Sequence, residues 1–300
     1  MKKSLMLIAL AAMGLWTACQ QIPEDDVNSR AMTSLSVRAT TLPSSDVDGW
    51  DLGSDTEYEM NGMQVQSRAE KEAATRMAFY LLDGEGVKVL SQEKDNSDSE
   101  YMSLNAEVPV GTYQLVAFAH NGSSDVSVDA NAVVTPEGKL TDSFLYYKVL
   151  TLDEESDNSQ SIVLDRCVAK FSLVHTDAIP EGASSVEFTI VGAAKALNAK
   201  TGFGAKSVEH SVVINIPERL IGTKNNNLAF YVFLMAEKSL LDISVVSKDA
   251  NGNKITSYTF EDVEMEVNMQ TIYTGAFFHS DQKISASINS EWKDNNEQTF

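Results

Sequence analysis

Apolar and polar residues alternate along most of the chain with the period of two that is typical of β-strands. Helical periodicity is almost absent, and only residues 68–75 have the composition of a short helix. In the first half, the glycine-bearing segment 83–86 joins two apolar runs as a hairpin. Strands are predicted over residues 35–42, 77–82, 87–90, 101–107 and 114–120.

The second half repeats this pattern after a polar stretch, residues 153–161, that separates two apolar segments. A chain of 300 residues exceeds the size that one core usually serves, so we place a domain boundary near residue 160. Short strands divided by turn signals predict an all-β fold of two tandem antiparallel β-sandwich domains with Greek-key connections, residues 35–160 and 161–300. Strands are predicted here over residues 162–174, 185–191, 210–216, 228–235, 241–247, 255–260, 263–269, 271–278 and 284–292.

The first 18 residues have the pattern of a secretory signal peptide. Lys2 and Lys3 precede an apolar run over residues 5–15, which is too short to cross a bilayer. The small residues Thr17 and Ala18 stand directly before the expected cut. We therefore expect residues 1–18 to be absent from the mature protein.

Cys19 stands directly after the expected cut and is the candidate lipidation site. The segment resembles the lipobox of bacterial lipoproteins, although Trp16 occupies the position that usually holds leucine. Several acyl chains on one cysteine would give a stable membrane anchor. The alternative is a plain signal peptide that leaves Cys19 as a free thiol. In either case, residues 19–34 are polar enough to act as a tether.

Charge and cysteine content narrow the function further. The formal net charge is −20, which disfavours nucleic acid and anionic lipid as partners. The second cysteine, Cys167, lies within an apolar run and is predicted to be a small buried side chain. No disulfide framework is expected, so stability must come from apolar cores.

The sequence gives no motif for catalysis, cofactor binding or a metal site. The four histidines have no metal-ligand spacing, and no nucleotide-binding or hydrolase motif is present. The Asp-x-Asp-Gly segment at residues 46–49 lacks the spacing and closing glutamate of an EF-hand, so a solvated acidic loop is expected. We therefore expect a protein that is not an enzyme and has no cofactor or metal.

Several segments, in order along the chain, resemble the Bacteroides-type fimbrillin superfamily. They are residues 77–89, 108–122, 164–171, 197–202 and 268–275, with Trp292 near the end. The resemblance implies a lipoprotein precursor with two transthyretin-like β-sandwich domains at the bacterial outer membrane. It also implies a pilus stalk, anchor or tip subunit whose partners are other fimbrial subunits and, for an adhesin, a host or bacterial surface ligand.

The same resemblance implies assembly by donor-strand exchange after cleavage at an arginine near the mature N-terminus. Arg30 in the tether and Arg38 in the first predicted strand are the candidate processing sites. A cut after Arg38 would detach part of that strand, whereas a cut after Arg30 would release the lipid and leave the strand in place. The chain could also remain uncut as an anchor or tip subunit.

The C-terminal segment from residue 283 is the candidate donor strand. Ile284, Ala286 and Ile288 fall on one face and alternate with polar residues, a pattern suited to pockets in a partner's groove. The same pattern equally describes the last strand of the chain's own second sandwich.

A different function is also compatible with the sequence. A surface lipoprotein that does not polymerise would use its sandwich to bind a glycan or a host protein. Tyrosine and tryptophan can stack on sugars, although aromatic residues at strand spacing usually pack in cores. Trp50, in the acidic loop, is the aromatic residue best placed for such a role.

Overall fold

The computed structural model describes residues 31–41, 74–279 and 284–289. Their regular structure is β-strand apart from one 3₁₀ turn, Glu218–Leu220, so the predicted all-β class is confirmed. The division into two tandem domains stays a prediction, and most of the helix predicted over residues 68–75 lies outside the described residues. The strands are β1 (Met32–Thr41), β2 (Arg76–Leu82), β3 (Lys88–Asp95), β4 (Ser103–Pro109), β5 (Gly111–His120), β6 (Val126–Val128), β7 (Val133–Pro136), β8 (Ser143–Leu152), β9 (Ser159–Arg166), β10 (Ala169–His175), β11 (Ala183–Val191), β12 (Leu197–Asn198), β13 (Phe203–Gly204), β14 (His210–Asn215), β15 (Asn227–Val232), β16 (Lys238–Asp249), β17 (Lys254–Glu266), β18 (Gln270–Gly275) and β19 (Ile284–Asn289).

The first half forms a seven-stranded sheet that packs against itself. Its strand order is β3-β2-β5-β8-β9-β1-β4, and every neighbouring pair is antiparallel except β1 and β9. Strands β8 and β9 pair only near their ends, at Phe144–Arg166 and Leu145–Asp165. Apolar side chains from β1, β4 and β9 share one core with those from β2, β5 and β8. The sheet therefore folds over at the β8–β9 junction, and its two parts enclose the core.

The predicted hairpin of the first half is present as β2 and β3. The Asp83 carboxylate accepts hydrogen bonds from the backbone N–H groups of Glu85 and Val87, at 2.9 and 2.8 Å. Gly86 has φ +82°, and a Cβ there would meet the Ala130 carbonyl oxygen at 2.2 Å. Only glycine fits this turn, because both the backbone conformation and the close approach exclude a side chain.

The second half contains two four-stranded sheets, ordered β15-β10-β18-β19 and β14-β11-β16-β17. Their inner faces share one apolar core. Aromatic rings fill its centre: Phe171 and Phe188 each lie 5.1 Å from Phe230 between ring centroids. Two sheets that bury alternate residues against each other form a sandwich.

A small sheet, ordered β13-β12-β7-β6, links the two halves of the chain. Strands β6 and β7 come from the first half and β12 and β13 from the second, and they meet where Leu197 pairs with Val134. A third apolar core lies beneath this sheet and includes Val126, Leu197 and Phe233. The halves therefore share buried apolar surface in addition to the covalent link.

A buried ion pair lies at the same junction. The Arg166 guanidinium donates to both oxygens of Asp142, at 2.7 and 2.9 Å, and to the side-chain oxygen of Asn268 at 2.9 Å. It also lies over the Phe144 ring, 5.0 Å from the centroid. Arg166 and Asn268 belong to two of the segments that carried the family resemblance, and the fold brings them into contact.

One strand prediction at this junction is wrong. Residues 162–174 were predicted as a single strand, but β9 ends at Arg166 in the first sheet and β10 begins at Ala169 in another. Cys167 and Val168, which connect β9 to β10, are both buried. The hydropathy of the sequence therefore does not show where the chain passes from one sheet to the other. Residues 153–158 connect β8 to β9, and β9 belongs to the first sheet up to Arg166. The domain boundary near residue 160 stays a prediction.

Other strand limits also differ from the sequence expectation. Residues 255–260 and 263–269 were predicted as two strands, whereas β17 is one strand with an irregularity opposite Leu241 and Ile243. Asp262 has φ +51° at this irregularity, and its N–H donates to the Asp242 carboxylate at 3.1 Å. Strand β8, of ten residues, was not predicted. Strands β6, β7, β12 and β13 were also missed, because segments of two to four residues are too short to show alternation.

Replacement of the buried guanidinium tests its contribution to stability. We expect Arg166→Met to lower the free energy of unfolding by about 3–5 kcal/mol, because the Asp142 carboxylate stays buried without this counter-charge. Urea denaturation at pH 7 measures the change. The double variant Arg166→Met with Asp142→Leu should recover most of the loss, since it leaves no buried charge behind. A loss below about 1 kcal/mol, typical of an exposed ion pair, would contradict the prediction.

Candidate functional site: the slot filled by strand β1

Strand β1 fills a slot along the core of the first sheet. Thr33, Leu35, Val37 and Ala39 point inward, and their exposed fractions run from 0% to 9%. The intervening residues face outward, among them the exposed Arg38. This alternation is what the sequence predicted, and it makes the inner face of β1 part of the core.

The backbone of β1 is paired on both sides. Ser36 to Thr41 run parallel to Ser159 to Leu164 of β9, and Met32 to Arg38 run antiparallel to β4. Strand β4 pairs with no other strand among the described residues. Loss of β1 would therefore expose the edge of β9, uncover apolar core and detach β4 from the sheet.

A polar contact closes the N-terminal end of the slot. The Thr33 hydroxyl donates to the Asp153 carbonyl oxygen at 3.0 Å and accepts from the Asn158 side-chain amide at 2.9 Å. The same amide group donates to the Asp153 carbonyl at 2.9 Å. Thr33 and Asn158 are buried, at 9% and 7% exposure. Nothing in the sequence indicated this contact, because residues 153–161 have the composition of a separator between domains.

Of the two predicted processing residues, only Arg38 lies among the described residues. Arg38 lies within β1, where its backbone faces Ser103 of β4 and Ser161 of β9. The N–H of the next residue, Ala39, donates to the Met102 carbonyl at 2.9 Å. Arg30 and the predicted lipidation site Cys19 lie outside the described residues.

The predicted donor residues lie in β19, which pairs with β18 of the chain's own sheet. Ile284 packs against the second core, whereas Ala286 is exposed. For Ile288 only the backbone is described, opposite Thr271. Strand β19 is at the edge of its sheet, as β15 is at the other edge.

The segment that leads to β19 is attached to the body by the Asp177 carboxylate. It accepts from the backbone N–H groups of Phe277, Phe278 and His279 at 3.0, 2.7 and 2.9 Å, and from the His279 ring at 2.8 Å. Burial raises the pKa of Asp177, but the donors from His279 and Phe277 outweigh it, so the pKa lies below its usual value. Nothing in the sequence marked Asp177, because its partners follow about 100 residues later.

His120 and Cys167, two side chains that could carry chemistry, are both buried. No group of three or more His, Cys, Asp or Glu side chains among them is placed to hold a metal ion. The His120 ring accepts from the Gly122 N–H at 3.1 Å, and burial, with a smaller effect of Arg76, lowers its pKa to about 4. Cys167 is buried as predicted, and burial raises the pKa of its thiol. No helix in the described part is long and apolar enough to cross a membrane.

A family model described as a family of unknown function (DUF6562) matches residues 55–299. The chain belongs to this family. The DUF6562 match covers β2 to β19, whereas β1 lies before it. No curated protein matches the chain.

Solved structures similar to this DUF6562 member include fimbrial proteins. The fimbrial anchor protein Mfa2 of Porphyromonas gingivalis is 10% identical, with a TM-score of 0.42 and coverage of 86% of this chain and 98% of that one. The tip fimbrial protein Mfa3 of the same organism is 9% identical, with a TM-score of 0.39 and coverage of 86% and 99%. A candidate adhesin of Bacteroides ovatus is 12% identical, with a TM-score of 0.48 and coverage of 83% and 88%.

The Asp177 contacts predict a pH-dependent attachment of β19. A lowered folded-state pKa contributes stability that is present above the unfolded pKa of about 4 and lost as the pH falls through the folded value. We expect Asp177→Asn to cost about 1–2 kcal/mol at pH 7 and the cost to shrink below pH 4. Urea denaturation at several pH values measures it. A cost that stays constant down to pH 2 would contradict the role of the carboxylate charge.

Proposed function

We propose that the chain is a structural or adhesive subunit of a bacterial cell-surface fimbrium. In this proposal it is exported as a lipoprotein through Cys19, anchored by lipid in the outer membrane, and joined to other fimbrial subunits. A subunit at the tip would also contact a host or bacterial surface ligand. The observation that carries the proposal is β1, an N-terminal strand whose removal would open a slot along an apolar core.

The chemistry of this slot suits strand addition. An incoming extended segment would gain main-chain hydrogen bonds from β9 on one side and β4 on the other, as β1 does now. Its alternate side chains would fill the positions of Thr33, Leu35 and Val37, which a cut after Arg38 vacates. Main-chain pairing supplies affinity in this mode of recognition, and the side-chain positions supply specificity.

Access to the backbone distinguishes the two candidate cuts. Proteases commonly bind substrate as an extended strand through its main-chain groups, and those around Arg38 already pair with β4 and β9. Arg30 precedes β1 in the chain. We therefore assign processing of the folded subunit to Arg30, which would release the lipid and leave β1 in its slot. A cut after Arg38 requires β1 to leave the sheet first, and it would produce the open slot.

In this proposal, the C-terminal strand β19 is the candidate donor strand. As an edge strand, β19 pairs with β18 alone among the described strands, and the packing of Ile284 and the Asp177 contacts before it hold it as well. It can leave without breaking up a sheet interior. We therefore keep Ile284, Ala286 and Ile288 as the candidate donor residues for a partner subunit.

The alternative function is a glycan-binding lipoprotein that does not polymerise, and aromatic side chains would stack on the sugar. Every tyrosine in the described part of the chain is buried or half-buried, so none is fully exposed for this role. Trp50, on which that alternative rests, lies outside the described residues.

Limited proteolysis tests the proposed assembly. We expect an arginine-specific protease to cut the purified mature protein after Arg30 first, because the Arg38 backbone is paired, and to produce SDS-resistant ladders once Arg38 is cut. Mass spectrometry of the released fragments gives the order of cutting. Electrophoresis of unboiled samples detects the ladders.

Two matched variants serve as controls. Arg38→Lys keeps the charge but removes the cut inside β1, so it should lose the lipid-bearing fragment and form no ladders. Arg30→Lys should retain that fragment until Arg38 is cut. Protein that stays monomeric after complete cutting at Arg38 would exclude strand exchange and leave an anchor, a tip subunit or the glycan binder.

A further inference from the structure

Alternation of side chains does not by itself fix the position of β1 along its slot. A shift by one residue would turn Leu35 and Val37 towards solvent, so odd shifts are excluded. A shift by two residues keeps an alternate set of side chains inward and restores the backbone pairing. Some other interaction must therefore distinguish the observed register from these even shifts.

The polar contact at Thr33 makes this distinction. With a shift of two residues in one direction, Leu35 would take the place of Thr33 against the Asn158 amide and the Asp153 carbonyl. In the other direction, Ala31 would take it. Either residue would leave one N–H of the Asn158 side-chain amide without its hydroxyl acceptor. Asn158 is only 7% exposed, so water cannot easily replace that acceptor. Unsatisfied buried polar groups are costly, so both shifts are disfavoured.

We propose that Asn158 and the Asp153 carbonyl form a polar pocket that selects a hydroxyl side chain and so sets the register of the strand in the slot. The residues that build the pocket are themselves held in place. The Asp153 carboxylate accepts from the backbone N–H groups of Glu155 and Ser156, at 3.0 and 2.7 Å. The Asn158 carbonyl accepts from the N–H of Ser36 in β1 at 3.4 Å.

The pocket also defines the chemistry of a partner strand, and this step rests on the proposed function. From Thr33 the inward positions carry a hydroxyl, a large, an intermediate and a small apolar side chain. Running in the same direction, β19 would offer Ile284 and Ala286 at the positions of Leu35 and Val37, but Gln282, which has no hydroxyl, at that of Thr33. Strand β19 thus remains the candidate donor for the apolar positions alone, and the pocket favours a segment like β1, with serine or threonine followed at alternate positions by apolar residues of decreasing size.

Disulfide trapping in the mature chain with Cys19→Ser tests the register. Ser36 faces Asn105 across β1 and β4, with side chains 2.8 Å apart. The variant Ser36→Cys with Asn105→Cys should cross-link on mild oxidation. Pairing Ser36→Cys with Ser103→Cys or Glu107→Cys reports the two even shifts and should cross-link at least about tenfold less, by the steep geometric limits of a disulfide.

Adding Thr33→Val should raise cross-linking of at least one shifted pair severalfold, because valine keeps the shape and removes the hydroxyl. Thr33→Ser keeps the hydroxyl and should match the unmodified strand. Thr40→Val, at an exposed threonine of the same strand, should also leave the shifted pairs unchanged. Asn158→Ala tests the pocket if Thr33→Val does not fold. The proposal would be overturned if a folded Thr33→Val or Asn158→Ala chain cross-linked the two shifted pairs no more than the chain without that substitution does.

Peptide capture tests selection of a partner. A fluorescent peptide of residues 31–41 is added in excess while the full mature chain refolds from urea, and captured label is measured after gel filtration. The Thr33→Val peptide should be captured several-fold less than the unmodified peptide, and the Thr40→Val peptide equally well. Equal capture of all three would overturn selection by the pocket while leaving strand exchange in place. Capture of none would contradict exchange itself, and the cross-linking result would still decide the register within the chain.

Discussion

Parallel pairing between β1 and β9 brings together segments that lie far apart in the chain, and the first sheet depends on it. Thr33 and Asn158, 125 residues apart, hydrogen-bond at one end of this pair. Because β4 pairs only with β1 among the described residues, the same strand also holds β4 over the core. One strand of ten residues thus fills the core, pairs two neighbours and fixes its own position.

The junction between the halves combines apolar and ionic contacts. The small sheet buries Leu197 and Val134 above Phe233, and Arg166 joins Asp142 to Asn268 beside it. A buried ion pair adds little net stability relative to a well-packed apolar group, but its geometry is demanding. We infer that the apolar contact supplies most of the attraction between the halves and that the ion pair fixes their alignment.

Local patterns in the sequence were sufficient for some features and not for others. The alternation in β1, the hairpin at Gly86 and the burial of Cys167 each depend on neighbouring residues, and each was predictable. The split at residues 167 and 168 was not, because the chain stays buried as it passes from one sheet to the next. The Asn158 pocket was hidden for a similar reason: its partner, Thr33, is distant in sequence, and a polar stretch between strands usually indicates a loop.

The position of β1 at the start of the chain also sets an order of events in time. A chain that leaves a ribosome or a translocation channel from its N-terminus presents β1 first, while β9 follows only after more than 100 further residues. Pairing over such a separation is slow compared with hairpin formation. Until β4 and then β9 emerge, the backbone around Arg38 lacks these strand partners and is open to a protease or to another strand. Whether β1 fills its own slot or is cut away can thus be decided kinetically, before the sheet has formed.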